Sequence, residues 1–565
     1  MRSILMTLHD PAVARDYYQR GLWQQDTLYT LARQHATRQP ERYAVQDRHH
    51  RLTWGELVRW ADALAGDLHD AGLATGDRVA GWLPSRVECH VLYLACSRNG
   101  YVCSQSLHQN HTVEDVLTLL ERGGVAAFVG QPGYGADGQN KDIFARLTAQ
   151  GLRRLYALPA APGSQGTLPA GTRPFPAIDA QLPLPALDDN PDKVVYLAYT
   201  SGTTGQPKAL MHSDNTLLAN GRALVDDWGM SSETRTLCLG PVSHHIATVG
   251  FEQMLITGGE LVLNDYAPGT QAIDRIIETG ADYLMGVPTH AIDILQQMTE
   301  RGLQRLGQVR VFYMAGAAIP PEIARRLIDL GITPQNIYGM SENGSHHGTV
   351  PNDDIDTLTR SVGQAVGRRN PAYEIRIWKA DDRDLEAAPG EVGEIGGRGA
   401  TLMLGYFGNH QATQGSFNRG GWFMSGDLGR IDALGNLEIV GRSKDLIIRG
   451  GHNIYPAEIE NLVLRHPQVA KAAAFPVPDE RLGERVCLGI IAEPGSQPDA
   501  QSLLAHLHQA GLSKYDMPEY FLCAEAFPLT ASGKILKREL TEQVRRGLIV
   551  PQPVRWRADP TVIPA

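Results

Sequence analysis

The chain is expected to fold as an α/β protein with a large N-terminal domain of mostly parallel sheets flanked by helices. A small α+β domain is expected to follow. Three observations predict this. Short apolar runs of strand type alternate with amphipathic helical stretches through most of the chain, the pattern of α/β architecture. Small, hydroxyl- and glycine-bearing segments follow several of these runs, at the strand ends where such sheets hold ligands. From Arg442 the pattern changes to short hairpin-like and helical pieces over about one hundred residues, an ordinary domain size. The expected boundaries are 1–441, 442–545 and a Pro-rich, loosely held tail at 546–565, although length alone would allow roughly four domains.

Taken in order, Thr53-Trp54-Gly55-Glu56 is a capping box, and Leu57, Trp60, Ala61 and Leu64 follow at helical spacing. Arg78–Leu83 reads as a strand ended by Pro84, and Val125–Val129 as another. Residues 159–192 are rich in Pro, Ala, Gly and Asp and read as a connection. Val194–Ala198 is a buried strand, and Tyr283–Val287, Val309–Met314 and Asn336–Gly339 are further strands. Pro321 opens a helix with Ile323, Leu327 and Leu330 on one face. In the small domain, a hairpin is expected near Asp445–Gly451 and a helix opened by Pro456 with Ile459, Leu462 and Val463. Strands at Ala472–Val477 and Val486–Ala492 follow, then a helix with Leu503, Leu504 and Leu507 closed by Gly511.

Composition narrows the function classes. The chain is 42% apolar and 20% charged, that of an ordinary globular protein able to bury a large core. Its net charge is −10 and no Lys/Arg run occurs, which argues against nucleic acid as a partner. The six cysteines are scattered, with no metal or disulfide spacing, as expected in a reducing compartment. The first apolar run, Ile4-Leu5-Met6, is too short for a signal peptide, and no stretch reaches membrane-spanning length. A cytoplasmic protein without a membrane partner is expected.

The chemistry centres on Thr200-Ser201-Gly202-Thr203-Thr204-Gly205-Gln206-Pro207-Lys208, which follows the Val194–Ala198 strand. Its glycines let the backbone approach a ligand closely. Four hydroxyls and backbone N–H groups offer donors to phosphate oxygens, and Lys208 adds a point charge. Gln206-Pro207 separate Gly205 from Lys208, so this is not a Walker loop; a Ser/Thr/Gly-rich surface turn is the alternative. Tyr338-Gly339-Met340-Ser341-Glu342 follows another strand, and the Glu342 carboxylate could hold Mg²⁺ against phosphates; a surface glutamate at a strand end is the alternative. Ala315-Gly316-Ala317-Ala318 offers small residues on which a flat ring could lie. Asp427, in Gly421–Leu428, is a carboxylate able to accept two hydrogen bonds from a vicinal diol. Arg449-Gly450-Gly451-His452-Asn453 carries two adjacent glycines, which a β-turn explains. Lys534 sits in Pro528–Ile535, with Lys537 and Arg538 read as solvated neighbours. His244, His245, His346 and His347 fit no standard zinc spacing.

These motifs, in this order from about Thr53 to Lys534, resemble the AMP-forming adenylating enzymes: acyl-CoA synthetases, aryl acid–AMP ligases, adenylation domains and luciferases. The resemblance implies that Thr200, Ser201, Gly202, Thr203, Thr204, Gly205 and Lys208 grip the nucleotide phosphates. Gly316, Ala317, Tyr338, Gly339, Ser341, Asp427 and Arg442 complete the nucleotide site, Asp427 on the ribose. It makes Lys534, Glu342 and Thr200 catalytic, with Lys534 bridging carboxylate and α-phosphate and Glu342 holding Mg²⁺. The acyl pocket falls to His244, His245, Gly286, Gly316, Gly339 and Met340. Lys444 falls on a hinge between two working positions of the small domain, and Gly450, Gly451 and His452 on the CoA passage.

The implied activity is an ATP-dependent acyl-CoA ligase: acyl-AMP first, then transfer to CoA with release of AMP. The 31 residues after Lys534 are fewer than the roughly 50 of a small domain, so the acceptor is expected to diffuse in. Gly420–Met424 and Arg449–Ile454 resemble ligases for cyclic acids of the cyclohexanecarboxylate–CoA ligase type. An alicyclic, aromatic or medium-chain carboxylic acid is therefore the expected substrate, with ATP, Mg²⁺ and CoA. Two alternatives stay open: an adenylating enzyme loading a separate carrier protein, and a nucleotide-binding protein without turnover. A homodimer is compatible with either.

Overall fold

The computed structural model describes residues 5–160, 167–200, 207–529 and 535–556. The chain divides into two compact units. The first holds Met1–Ile375, Gly397–Phe417 and Leu434–Leu437; the second holds Arg376–Gly396, Asn418–Ala433 and Glu438–Ala565. The second unit thus takes in two segments that precede residue 442.

Two sheets organise the first unit. The larger runs Gln364–Ala365, Gly344–Gly348, Thr333–Met340, Val311–Ala315, Tyr283–Gly286, Arg235–Cys238, Glu260–Val262, Tyr43–Gln46 and Arg51–Thr53 in order. Its interior pairs are parallel and only its margins antiparallel. The other runs Arg154–Ala157, Val125–Gly130, Arg78–Trp82, Val102–Ser104, Val194–Thr200 and Lys208–Ser213. It is parallel except where Val194–Thr200 meets Lys208–Ser213. Parallel strands covered on both faces need no polar alternation, which is why Val194–Thr200 reads as one apolar run and is buried almost throughout.

Local signals set the element ends. Thr53 caps the helix Trp54–Asp70 with Glu56 closing the box, and Leu57, Trp60, Ala61 and Leu64 are all buried. Pro321 opens the helix Pro321–Asp329, whose Ile323 and Leu327 are buried. The described part of 159–192 contains no helix or strand of its own, as its composition predicts.

The second unit is built on a long antiparallel pair, Val469–Asp479 with Gly483–Ala492. Side chains alternate between faces along a strand. Ala472, Ala474, Val486, Leu488 and Ile490 share one core with Ile459, Val463, Leu503, Leu504 and Leu507. Ala473, Phe475, Val477 and Cys487 share another with Phe527 and Leu540. The helices Pro456–Val463 and Ala500–Gln509 thus serve one face and Lys537–Arg545 the other.

Two expectations are corrected here. The described part of the tail is not loosely held. Gln552–Pro553 pairs antiparallel with Tyr520 and Phe521, and Val554 N–H donates to the Glu519 carbonyl at 2.8 Å. Trp556 stacks on His508 with ring centroids 4.8 Å apart; apolar side chains within the Pro-rich stretch find a sheet edge to pack on. Lys537 is not a solvated lysine either. Its ammonium lies 2.7 Å from Glu460 Oε1, and only 17% of the side chain is exposed.

All six cysteines are free, and all but Cys523 are buried. Among the described residues no helix is long and apolar enough to cross a membrane.

Candidate active site

In the first unit, three neighbouring parallel strands end together. Gly286 aligns with Met314, and Ala315 with Ile337, so Gly286, Gly316 and Tyr338–Glu342, which ends the strand Thr333–Met340 and enters the turn after it, share one edge. This is the carboxyl edge, where open α/β sheets bind ligands. Gly316 has φ of +87° and nothing within 4 Å of where a Cβ would stand. A left-handed backbone beside open space suits close approach by a ring. Gly339 has another reason to be glycine: a Cβ there would lie 1.8 Å from the Gly344 carbonyl oxygen, inside the hairpin Thr333–Met340/Gly344–Gly348.

Thr200 ends its strand opposite Lys208, Cα partners across the antiparallel pair. The residues between them that carry the expected phosphate contacts, Ser201, Gly202, Thr203, Thr204 and Gly205, lie outside the described residues. Lys208 Nζ stands over the Tyr406 ring, 4.6 Å from its centroid. The Tyr406 hydroxyl donates to Glu342 Oε1 at 3.0 Å. Burial, reinforced by the Glu342 carboxylate, pushes the phenol pKa up, so it stays a donor. Lys208, Tyr406 and Glu342 therefore form one continuous contact line. Tyr406 carries no motif and comes 64 positions after Glu342; sequence reasoning had no signal for it.

His212 was also missed. It is buried, its Nε2 lies 2.7 Å from the Ser341 carbonyl oxygen, and its Nδ1 lies 3.0 Å from Thr216 Oγ1. A carbonyl only accepts, so Nε2 carries the hydrogen and neutral Nδ1 faces the Thr216 hydroxyl. Burial lowers its pKa to about 4. The turn that presents Glu342 is thus fixed from behind by a neutral imidazole.

The four histidines singled out in the sequence do not gather at one point; the adjacent pair His346 and His347 touch each other. His244 lies against His108, centroids 4.5 Å apart, and His108 is hydrogen-bonded through Nδ1 to Ser243 Oγ at 3.0 Å. His245 stacks between His212 at 5.7 Å and Tyr196 at 6.3 Å, and burial lowers its pKa to about 3. His346 and His347 bond to each other, Nδ1 to Nδ1 at 2.8 Å, inside the strand Gly344–Gly348. Among the described residues one trio could hold a metal: Asp47, His50 and Glu88. Its carboxylates are committed, Glu88 to Nε and Nη2 of Arg86 and Asp47 to the N–H groups of His49, His50 and Val87.

In the second unit, Asp427 is 7% exposed and its Oδ1 lies 3.2 Å from Arg442 Nε. Gly426 has φ of +77°; its N–H donates to Glu394 Oε1 at 3.0 Å and its carbonyl accepts from Ser443 Oγ at 3.0 Å. These bonds fix the Asp427 strand against the 3₁₀ turn Ser443–Asp445, which carries exposed Lys444. Gly450 and Gly451 form the two-residue turn of the hairpin Ile447–Arg449/His452–Ile454, with φ of +59° and +88°. Positive φ at both positions is the type I′ turn, so turn geometry alone accounts for both glycines. No heavy atom comes within 4 Å of a Cβ built at Gly451. His452 Nε2 lies 2.7 Å from Asp516 Oδ1. Lys534 lies outside the described residues.

Comparison with known proteins agrees with this arrangement. Residues 32–407 match the model of the AMP-binding enzyme family, and 458–534 that of the AMP-binding enzyme C-terminal domain. A Streptomyces protein named salicylyl-CoA synthase / salicylate adenylyltransferase is 32% identical over 95% of this chain and 97% of its own. The medium-chain fatty-acid–CoA ligase of Escherichia coli (strain K12) is 29% identical over 94% and 93%. The crystal structure of ATP-bound MatB from Rhodopseudomonas palustris superposes with a TM-score of 0.78 at 27% identity, over 92% of this chain and 99% of that one. With strand ends, sheets and both family models in agreement, the chain belongs to the AMP-binding enzyme family, the AMP-forming adenylating enzymes.

Proposed function

We propose that this enzyme is an ATP-dependent acyl-CoA ligase acting on an alicyclic, aromatic or medium-chain carboxylic acid. The observation that carries the reading is the contact line Lys208–Tyr406–Glu342 beside the stems of the phosphate loop, at the carboxyl ends of the strands. A carboxylate oxygen attacks the α-phosphorus of ATP, and pyrophosphate leaves with the bridging electron pair. The CoA thiol, losing its proton, then attacks the acyl carbonyl, and AMP leaves.

Each residue has a role in this scheme. Lys208 and the loop hydroxyls take the phosphates. Lys534 offsets the charge that builds as carboxylate meets phosphorus. Asp427, oriented by Arg442, takes the ribose hydroxyls. Gly316 and Ala317 border the adenine, while Gly286, Gly339, Met340, His244 and His245 border the acyl group. Lys444 serves as the hinge that brings Lys534 to the first step and the Gly450–His452 turn to the second, ordinary closure behaviour.

The residues present fit Mg²⁺. Glu342 supplies a hard carboxylate of the kind the ion takes alongside phosphate oxygens, and the Tyr406 hydroxyl donates to its Oε1. When bound, the ion neutralises phosphate charge.

A second reading is favoured by the name of one relative, an adenylyltransferase as well as a CoA synthase: the acyl-AMP passes to a separate carrier protein. One experiment separates the two. Pyrophosphate release is followed with ATP and Mg²⁺ over a panel of acids, with and without CoA, and product mass is read. Sustained release with an acyl-CoA mass supports the ligase. One turnover stalled at acyl-AMP despite CoA supports carrier loading, and no release with any acid defeats both.

A further inference from the structure

We propose that Tyr406 is a positioning residue of the adenylation site, its hydroxyl orienting the Glu342 carboxylate and its ring face holding the Lys208 ammonium. The proposal rests on the reading of Glu342 and Lys208 given above.

Tyr406 is well placed to do both. Leu404–Phe407 lies alongside Lys208–Ser213, with Tyr406 and Leu210 forming an isolated antiparallel bridge. Leu404 N–H donates to the Met211 carbonyl at 2.7 Å, Met211 N–H to Gly405 at 2.9 Å and Phe407 N–H to Ala209 at 2.7 Å. Met403 N–H, one position earlier, donates to the Glu342 carbonyl at 2.7 Å. The same short segment thus grips both the strand that begins with Lys208 and the backbone of Glu342. Tyr406 itself is 6% exposed, and its N–H is held by Thr413 Oγ1 at 3.0 Å. A side chain so fixed has little freedom to lose when it aligns other groups.

Its two ends meet groups of opposite charge. The hydroxyl reaches an anion, where a hydrogen bond is charge-assisted. The ring face reaches a cation within the ~6 Å range of cation–π attraction. The carboxylate and the ammonium are therefore registered to one rigid body between them. Partners of this kind, behind a metal-binding carboxylate, commonly set metal affinity by about 10- to 100-fold.

Two substitutions separate the functions. Tyr406→Phe removes the hydroxyl and keeps the ring; Tyr406→Leu removes both. Mn²⁺ affinity of the enzyme–ATP complex is read from the paramagnetic resonance signal of the free ion. ATP affinity without metal is read by calorimetry, and folding by thermal unfolding. Tyr406→Phe is expected to weaken Mn²⁺ binding about tenfold while leaving metal-free ATP affinity unchanged. Tyr406→Leu is expected also to weaken metal-free ATP binding about threefold. Folded variants with unchanged Mn²⁺ and ATP affinities would overturn the proposal. So would equal losses in both affinities in Tyr406→Phe with a lowered unfolding temperature, the mark of a packing role alone. Glu342→Gln is the control. If it weakens Mn²⁺ binding and Tyr406→Phe does not, the Tyr406 proposal fails by itself; if Glu342→Gln has no effect, the reading of Glu342 fails and takes the proposal with it.

Discussion

His212 Nε2 lies 2.7 Å from the carbonyl oxygen of Ser341, the residue immediately before Glu342. A buried ring behind the site thus sets the backbone from which the acidic side chain projects. Replacing His212 with Leu leaves that carbonyl without its donor. The expected cost is about 1–3 kcal/mol of stability, read as a shift in the urea midpoint. His212→Gln retains a donor and should recover more than half of the loss; equal losses in the two variants would contradict the hydrogen-bond account.

The same ring gives a pH dependence with a definite sign. Its folded pKa, about 4, lies below the ordinary histidine value of 6.5. The unfolded chain therefore binds more protons between these values. The contribution is fully present above about pH 6.5 and is lost as pH falls towards 4. His245 and His347, each lowered to about 3 by burial, add to the same trend. Stability should fall by about 1 kcal/mol per pH unit for each such group within its window. Urea unfolding at a series of pH values tests this; a stability flat from pH 6.5 to 4.5 would contradict it, and His212→Gln should shallow the slope.

Lys534→Ala is expected to slow adenylation by roughly 10²–10³, the loss typical when one transition-state donor is removed. Thioester formation from supplied acyl-AMP should change far less. Equal losses in the two half-reactions would refute separate roles for Lys534 and the Gly450–His452 turn.

Gly451 serves a type I′ turn, so its substitution mixes backbone strain with any blocked passage. Asn tolerates the left-handed backbone and Trp does not. Gly451→Asn should keep both half-reactions near their original rates, whereas Gly451→Trp should spare acyl-AMP formation and stop transfer to CoA. Unchanged CoA turnover in Gly451→Trp would place the passage elsewhere.

Lys537→Met removes the cation beside Glu460, a carboxyl whose pKa burial pushes up and Lys537 draws back down. The expected loss is about 1–3 kcal/mol, seen in unfolding rather than in adenylation. Pairing the change with Glu460→Gln should recover part of it; no recovery would mean that the pair does not couple.

The strands, helix starts and family motifs were legible because they are local. Val194–Thr200 announces itself by an unbroken apolar run, and Thr53 by a partner three residues away. Pro321 and Pro456 open helices for reasons contained in their own rings. What stayed hidden is what the fold brings from afar. Tyr406 meets Glu342 across 64 positions and His212 meets Ser341 across 129, and neither pairing leaves a trace in spacing or composition. Gly450 and Gly451 were visible as glycines, but only their positive φ values reveal the turn that requires them. Lys537 shows the same limit: whether a lysine is solvated depends on Glu460, which lies on another helix.

The return of Gln552–Pro553 to Tyr520–Cys523 also bears on how the molecule stays apart from its neighbours. An uncovered strand edge offers a template on which another chain can add a strand and begin aggregation. Here the last described strand of that sheet has a proline at one of its two positions, and proline brings no N–H to a ladder. The sheet ends on a poor template, and Trp556, stacked on His508, fastens that border down. Trimming the chain before Gln552 would therefore be felt first as self-association on storage, with the adenylation chemistry still intact.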